Sequence, residues 1–74
     1  MPTQRAIDLA SVCTEAVRCG KAFPTIWHKR LRCNPLVEGI PRQKLEAGRR
    51  LLTIPLITGE RLVYDADAKG FSVQ

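Results

Sequence analysis

Thr25, His28, Lys29 and Arg32 stand at positions i, i+3, i+4 and i+7, the spacing that brings side chains onto one face of a helix. A helix through them carries a stripe of hydroxyl, imidazole, ammonium and guanidinium groups. Those groups are hydrogen-bond donors and cations, matched to an anionic partner with acceptor edges. A helix is also the element that fits the major groove of duplex DNA. Bond-breaking chemistry has no comparable signature. His28 is the single histidine and has no acid beside it in sequence, so nothing marks a nucleophile–histidine–acid set. Gly20, Gly39, Gly48, Gly59 and Gly70 are scattered singly, which is not a phosphate-cradling loop. The expectation is a binding protein, not an enzyme, with no cofactor.

Cys13, Cys19 and Cys33 are odd in number, and free thiols in a reducing cytoplasm are the simplest reading. With His28 they could supply four zinc ligands, but the close pairs that mark such sites are missing. Cys13 falls at the centre of an apolar helix face and reads as a small buried hydrophobe.

The charge is concentrated. Residues 18–50 carry Arg18, Lys21, Lys29, Arg30, Arg32, Arg42, Lys44, Arg49 and Arg50 against Glu38 and Glu46, a net of +7 in a chain of net +5. A field gathered in one stretch points to a polyanion. With 74 residues the chain is one domain, residues 1–74, with a few kcal/mol of stability to spare. No apolar run approaches the length of a membrane span. Met1-Pro2-Thr3-Gln4-Arg5 lacks the apolar stretch of a secretory signal, and a cytoplasmic, nucleoid-associated location is expected.

These residues need elements to hold them. Ala6, Leu9, Ala10, Cys13, Ala16 and Val17 share one arc at 100° per residue, predicting a first helix over 4–18. Thr3 is its N-cap and Gly20 its left-handed terminator. A second helix is predicted from about Pro24 to Cys33, starting at a proline and stopping before Asn34-Pro35. Ile26, Trp27, Leu31 and Cys33 face the core, with Trp27 against Leu9, Cys13 or Val17. Arg30 falls inside that apolar arc and must snorkel out, or the helix is distorted there. Two helices joined by a glycine-containing turn, the second cationic, form a helix-turn-helix pattern. Pro41–Ala47 reads as one or two helical turns ended by Gly48. The last third reads as β-structure, with a strand over 51–57, a tight connection at Thr58-Gly59-Glu60, a strand over 61–65, a turn, and a short strand at Phe71–Val73. Pro55 places its strand at an edge or in a bulge. The fold class is therefore α+β.

The segment from Pro55 to Ala68, with its proline, glycine-tipped hairpin, Arg61 and Tyr64, resembles the wing of phage excisionases and related small MerR-like winged-helix proteins. Phe23-Pro24-Thr25-Ile26-Trp27-His28-Lys29-Arg30-Leu31 is similar to their recognition helix. The resemblance covers about half the chain. It implies a small winged helix-turn-helix with two main helices and a β-hairpin wing. It implies binding to repeated sites on double-stranded DNA, DNA bending, a bias of a recombinase towards excision, and promoter repression. Thr25, His28, Lys29 and Arg32 would then enter the major groove. Arg30, Arg42, Lys44, Arg49 and Arg50 would meet the phosphate backbone, and Thr58, Gly59 and Arg61 would form the wing. Partners implied besides DNA are an integrase or recombinase and copies of the chain on adjacent sites.

Two other readings stay open. A small basic chain can inhibit a host protein through its basic face, with Leu56, Ile57, Leu62 or Val63 as a docking strand. A basic RNA-binding domain is the third reading. Two Phe, one Tyr and one Trp leave few aromatic platforms for splayed bases.

Overall fold

The computed structural model describes residues 3–74. Helix α1 spans Gln4–Arg18 and helix α2 spans Phe23–Ile26. A π-helical segment, Trp27–Leu31, continues α2. Four strands follow: β1 (Arg42–Glu46), β2 (Arg49–Pro55), β3 (Arg61–Asp65) and β4 (Gly70–Val73). They form an antiparallel meander in the order β1-β2-β3-β4. The fold is a two-layer α+β arrangement, with the helices on one face of the sheet.

Both ends of α1 are set by its sequence. The Thr3 hydroxyl accepts from the Ala6 N–H. At the other end Gly20 takes φ +91°. The Gly20 N–H then donates to the Val17 carbonyl and the Lys21 N–H to the Ala16 carbonyl, the paired bonds of a Schellman terminus. Ala6, Leu9, Ala10 and Cys13 are buried, as their spacing requires. Thr14 ties the helix to the sheet: its hydroxyl accepts from the Phe71 N–H at 2.9 Å and donates to the Ala10 carbonyl at 2.8 Å.

The conflict at Arg30 is resolved by a distorted helix. The Arg32 N–H donates to the Trp27 carbonyl at 2.7 Å, an i→i+5 bond that fits one extra residue into the turn. In an α-helix Ile26 and Leu31 would lie about 140° apart at 100° per residue. With the wider turn both are buried, Leu31 completely, and Arg30 is left exposed. Cys33, expected towards the core, is exposed, because the segment ends before it. Trp27 packs against the core cluster and is half-buried.

The register fixes the faces of the sheet. Ile54 pairs with Leu62 and Leu62 with Val73; Leu52 pairs with Tyr64 and Tyr64 with Phe71. Alternation therefore puts these six on the face beneath the helices, where Ile54, Leu62 and Phe71 are buried with Leu9, Cys13, Ile26 and Leu31. Phe23 of α2 stacks there on Tyr64 and Phe71, with ring centroids 5.1 and 6.1 Å away.

Three expectations are corrected here. Residues 42–46 are a strand, not helical turns. Ala47 and Gly48 at φ +51° and +77° make the two-residue hairpin loop whose twist suits antiparallel strands. Pro55 does not sit on an edge strand, since β2 lies between β1 and β3. It is tolerated as the last residue of β2, beyond the end of β1, whose pairing stops at Arg42↔Thr53. Finally, Leu56, Leu62 and Val63 are buried and β3 is internal, so they offer no docking strand; of that group only Ile57 is exposed.

Candidate nucleic-acid interface

The sequence expectation of one continuous stripe on the second helix is only partly met. Thr25, Lys29 and Arg30 line a groove between α1 and α2, facing Ser11, Val12 and Glu15. His28 and Arg32 lie together, with Arg32 Nη1 3.5 Å from His28 Nδ1, and both are exposed. The cations thus fall into two groups, Lys29 and Arg30 at the groove and His28 with Arg32 beside each other.

The second cationic element is the β1–β2 hairpin. Every residue from Arg42 to Arg50 is exposed, so the hairpin stands clear of the helical layer. Alternation divides it into two faces. Arg42, Lys44 and Arg49 lie on the outer face, as does Arg61 of β3, which pairs with Pro55. Gln43, Leu45 and Arg50 lie on the helix side, past the area the helices cover. Lys44 bridges to Glu46 at 3.3 Å and Arg49 to Asp65 at 3.2 Å. Those pairs reduce the charge available to an outside anion, though exposed pairs are weak. Arg42, Arg50 and Arg61 have no ion-pair partner among the described residues. Arg42 and Arg61 line one shallow groove together with Glu38, Thr53 and Pro55.

The turn expected as a free wing tip is not free. The Glu60 carboxylate accepts from the Thr3 N–H at 2.9 Å and the Thr3 hydroxyl at 2.8 Å. It also accepts from the Thr58 hydroxyl at 2.8 Å. On the other side the Ile57 N–H donates to the Leu36 carbonyl and the Glu38 N–H to the Pro55 carbonyl. Thr58 and Gly59, assigned to the wing, thus belong to a clasp over the start of α1. Gly59 keeps its expected left-handed backbone, at φ +88°. Sequence reasoning missed the true projecting hairpin, for which the one available signal was Gly48 between two polar stretches.

The hydrogen bonds from Thr3 and then Thr58 hold the Glu60 carboxyl below the usual carboxylate range. A group with a depressed folded-state pKa stabilises the fold above its unfolded pKa, and the benefit is lost as pH falls through the folded value. Glu60→Gln should therefore melt lower than wild type at neutral pH, with the gap closing as acidification carries the pH through the depressed folded-state value. Thermal melts of both proteins across that range check this; parallel curves would show the clasp to be unimportant. Asp65 also titrates in this region. Burial pushes its carboxyl up, but the N–H groups of Ala68 and Asp67 and the Arg49 guanidinium outweigh that and hold it low. It is common to both proteins and cancels in the difference.

Cys13 is buried and its thiol is raised to about 11, chiefly by desolvation and against the opposing charge of Arg30. It stays protonated at neutral pH, unsuited to nucleophilic attack. Cys19 and Cys33 are exposed. Among the described residues no three His, Cys, Asp or Glu side chains gather to hold a metal ion, so the four candidate zinc ligands are not brought together. Among these residues no helix is long and apolar enough to cross a membrane. The chain matches no protein-family model, no curated protein and no solved structure.

Proposed function

We propose that this chain is a non-enzymatic duplex-DNA-binding protein, acting as an excisionase-type recombination factor or a small repressor. The observation that carries the reading is the exposed hairpin from Arg42 to Arg50, with Arg42 and Arg50 unpaired among the described residues. It follows a short helix whose His28, Lys29 and Arg32 are also exposed. A donor-bearing helix suits the major groove, and an arginine-bearing hairpin suits phosphates or the narrow minor groove. The wing in this reading is the β1–β2 hairpin, and the 58–60 turn is structural. Arg61 keeps a phosphate role because it shares a groove with Arg42. An integrase and neighbouring copies on the DNA are the further partners of this reading.

The expected division of labour gives the test. Lys29→Ala or Arg32→Ala should cut the preference for a selected site over random duplex, each good base contact being worth about 1–3 kcal/mol. Arg42→Ala or Arg50→Ala should weaken every sequence alike. Anisotropy titrations with a selected and a scrambled duplex measure both effects. Identical behaviour of the two pairs would mean the helix does not read bases. Ile57 and Ile40 are 59% and 69% exposed, which favours a host-protein inhibitor as the second reading. Under it the basic face meets an acidic protein surface, and Ile57→Ser abolishes the biological effect while leaving duplex-DNA affinity unchanged.

A further inference from the structure

We propose that the outer edge of β1 is a self-pairing surface, through which two copies of this chain form a continuous eight-stranded antiparallel sheet. Strand β1 is the terminal strand of the sheet, and its five residues Arg42–Glu46 are all exposed. One row of its backbone N–H and C=O groups therefore lacks a strand partner, which is the template for strand addition. The opposite edge differs. There Ile7, Ser11 and Thr14 of α1 line a groove with Phe71, Ser72 and Val73 of β4, so the helix flanks an incoming strand.

The side chains select the occupant. Two β1 strands related by a twofold axis through Lys44 place Arg42 of each copy opposite Glu46 of the other. Gln43 of each then lies opposite Leu45 of the other. Opposite charges on directly facing residues stabilise an antiparallel pair. Leu45 is 72% exposed and gains an apolar contact from the Gln43 methylenes. The two Lys44 ammoniums face each other at the axis, which opposes association. Each keeps its own Glu46 carboxylate at 3.3 Å, and Arg42 of the other copy approaches that same carboxylate. Facing residues have the same parity in this register, so both helical layers fall on one side of the joined sheet. An isologous contact of this kind closes on itself. It makes a discrete dimer, not a filament.

Sedimentation equilibrium without DNA, at low salt and up to about 1 mM chain, tests the proposal independently of the DNA reading. Wild type is expected to reach twice the monomer mass reversibly. Glu46→Arg puts two arginines opposite each other and should raise the dimer dissociation constant at least about tenfold. Arg42→Glu combined with Glu46→Arg restores the complementarity and should restore the dimer. Leu45→Lys, whose side chain makes no core contact, is the alternative disrupting variant should Glu46→Arg not give a native circular dichroism spectrum. A wild type that stays monomeric overturns the proposal. So does a dimer that neither disrupting variant weakens, or a charge swap that recovers nothing.

Discussion

Leu31→Ala should cost about 2–5 kcal/mol, the range for emptying a fully enclosed leucine site, and lower the melting temperature by at least about 10 °C. Leu31 has no exposed surface and closes the π turn that lets α2 reach the core. The cavity would open inside the core cluster that also holds Leu9, Cys13, Ile26, Ile54 and Leu62. A domain of 74 residues has only a few kcal/mol to lose, so a large share of the variant should be unfolded at 37 °C. Trp27→Ala, by contrast, should cost less than emptying a fully buried aromatic site, because Trp27 is half-buried. Urea melts of the two variants beside wild type give the order. A loss below about 1 kcal/mol for Leu31→Ala would mean the site collapses without penalty and the π turn is not what anchors the helix.

Local signals were legible where one principle acted alone. Helix α1 follows from its apolar arc, its threonine cap and its left-handed Gly20, and the structure gives the expected 4–18 span. The turn after Asp65 is readable for the same reason: Asp65 accepts from the Asp67 and Ala68 N–H groups, a local bond that needs no distant partner. The misreading fell on Gln43-Lys44-Leu45-Glu46-Ala47. These residues favour helices, yet they form a strand because β2 presents a complementary edge. Pairing Arg42 to Thr53 and Glu46 to Arg49 is a tertiary gain that propensity cannot register. The Ala47-Gly48 loop escaped notice because alanine rarely takes positive φ.

The candidate site was legible as charge but not as geometry. The basic stretch over 18–50 was evident from composition, and its cations are exposed. Which of them are free depended on contacts across the sheet. Arg49 meets Asp65 sixteen residues on, and Glu60 meets Thr3 fifty-seven residues back. The second contact turns the expected wing tip into a clasp. It leaves the projecting role to the β1–β2 hairpin, whose first strand carries helix-favouring residues.

The hairpin's contribution should be visible in the salt dependence of DNA affinity. Each phosphate neutralised by a cation releases a condensed counterion and adds about −0.9 to the slope of log K against log salt. If Lys29, Arg30, Arg32, Arg42, Arg50 and Arg61 all meet phosphates or the groove between them, the slope for duplex DNA is about −5 to −6. Removing Arg42 and Arg50 together should flatten it by about 2 and lower affinity at 50 mM salt by at least about tenfold. Both side chains are exposed, so melting temperature should hardly change. The decisive measurement is a duplex-DNA titration at stepped salt from about 50 to 200 mM for wild type and Arg42→Ala/Arg50→Ala. The account predicts steep wild-type dependence and a variant flatter by about two charges. Absence of binding at 50 mM salt, or equal slopes for the two proteins, would contradict it.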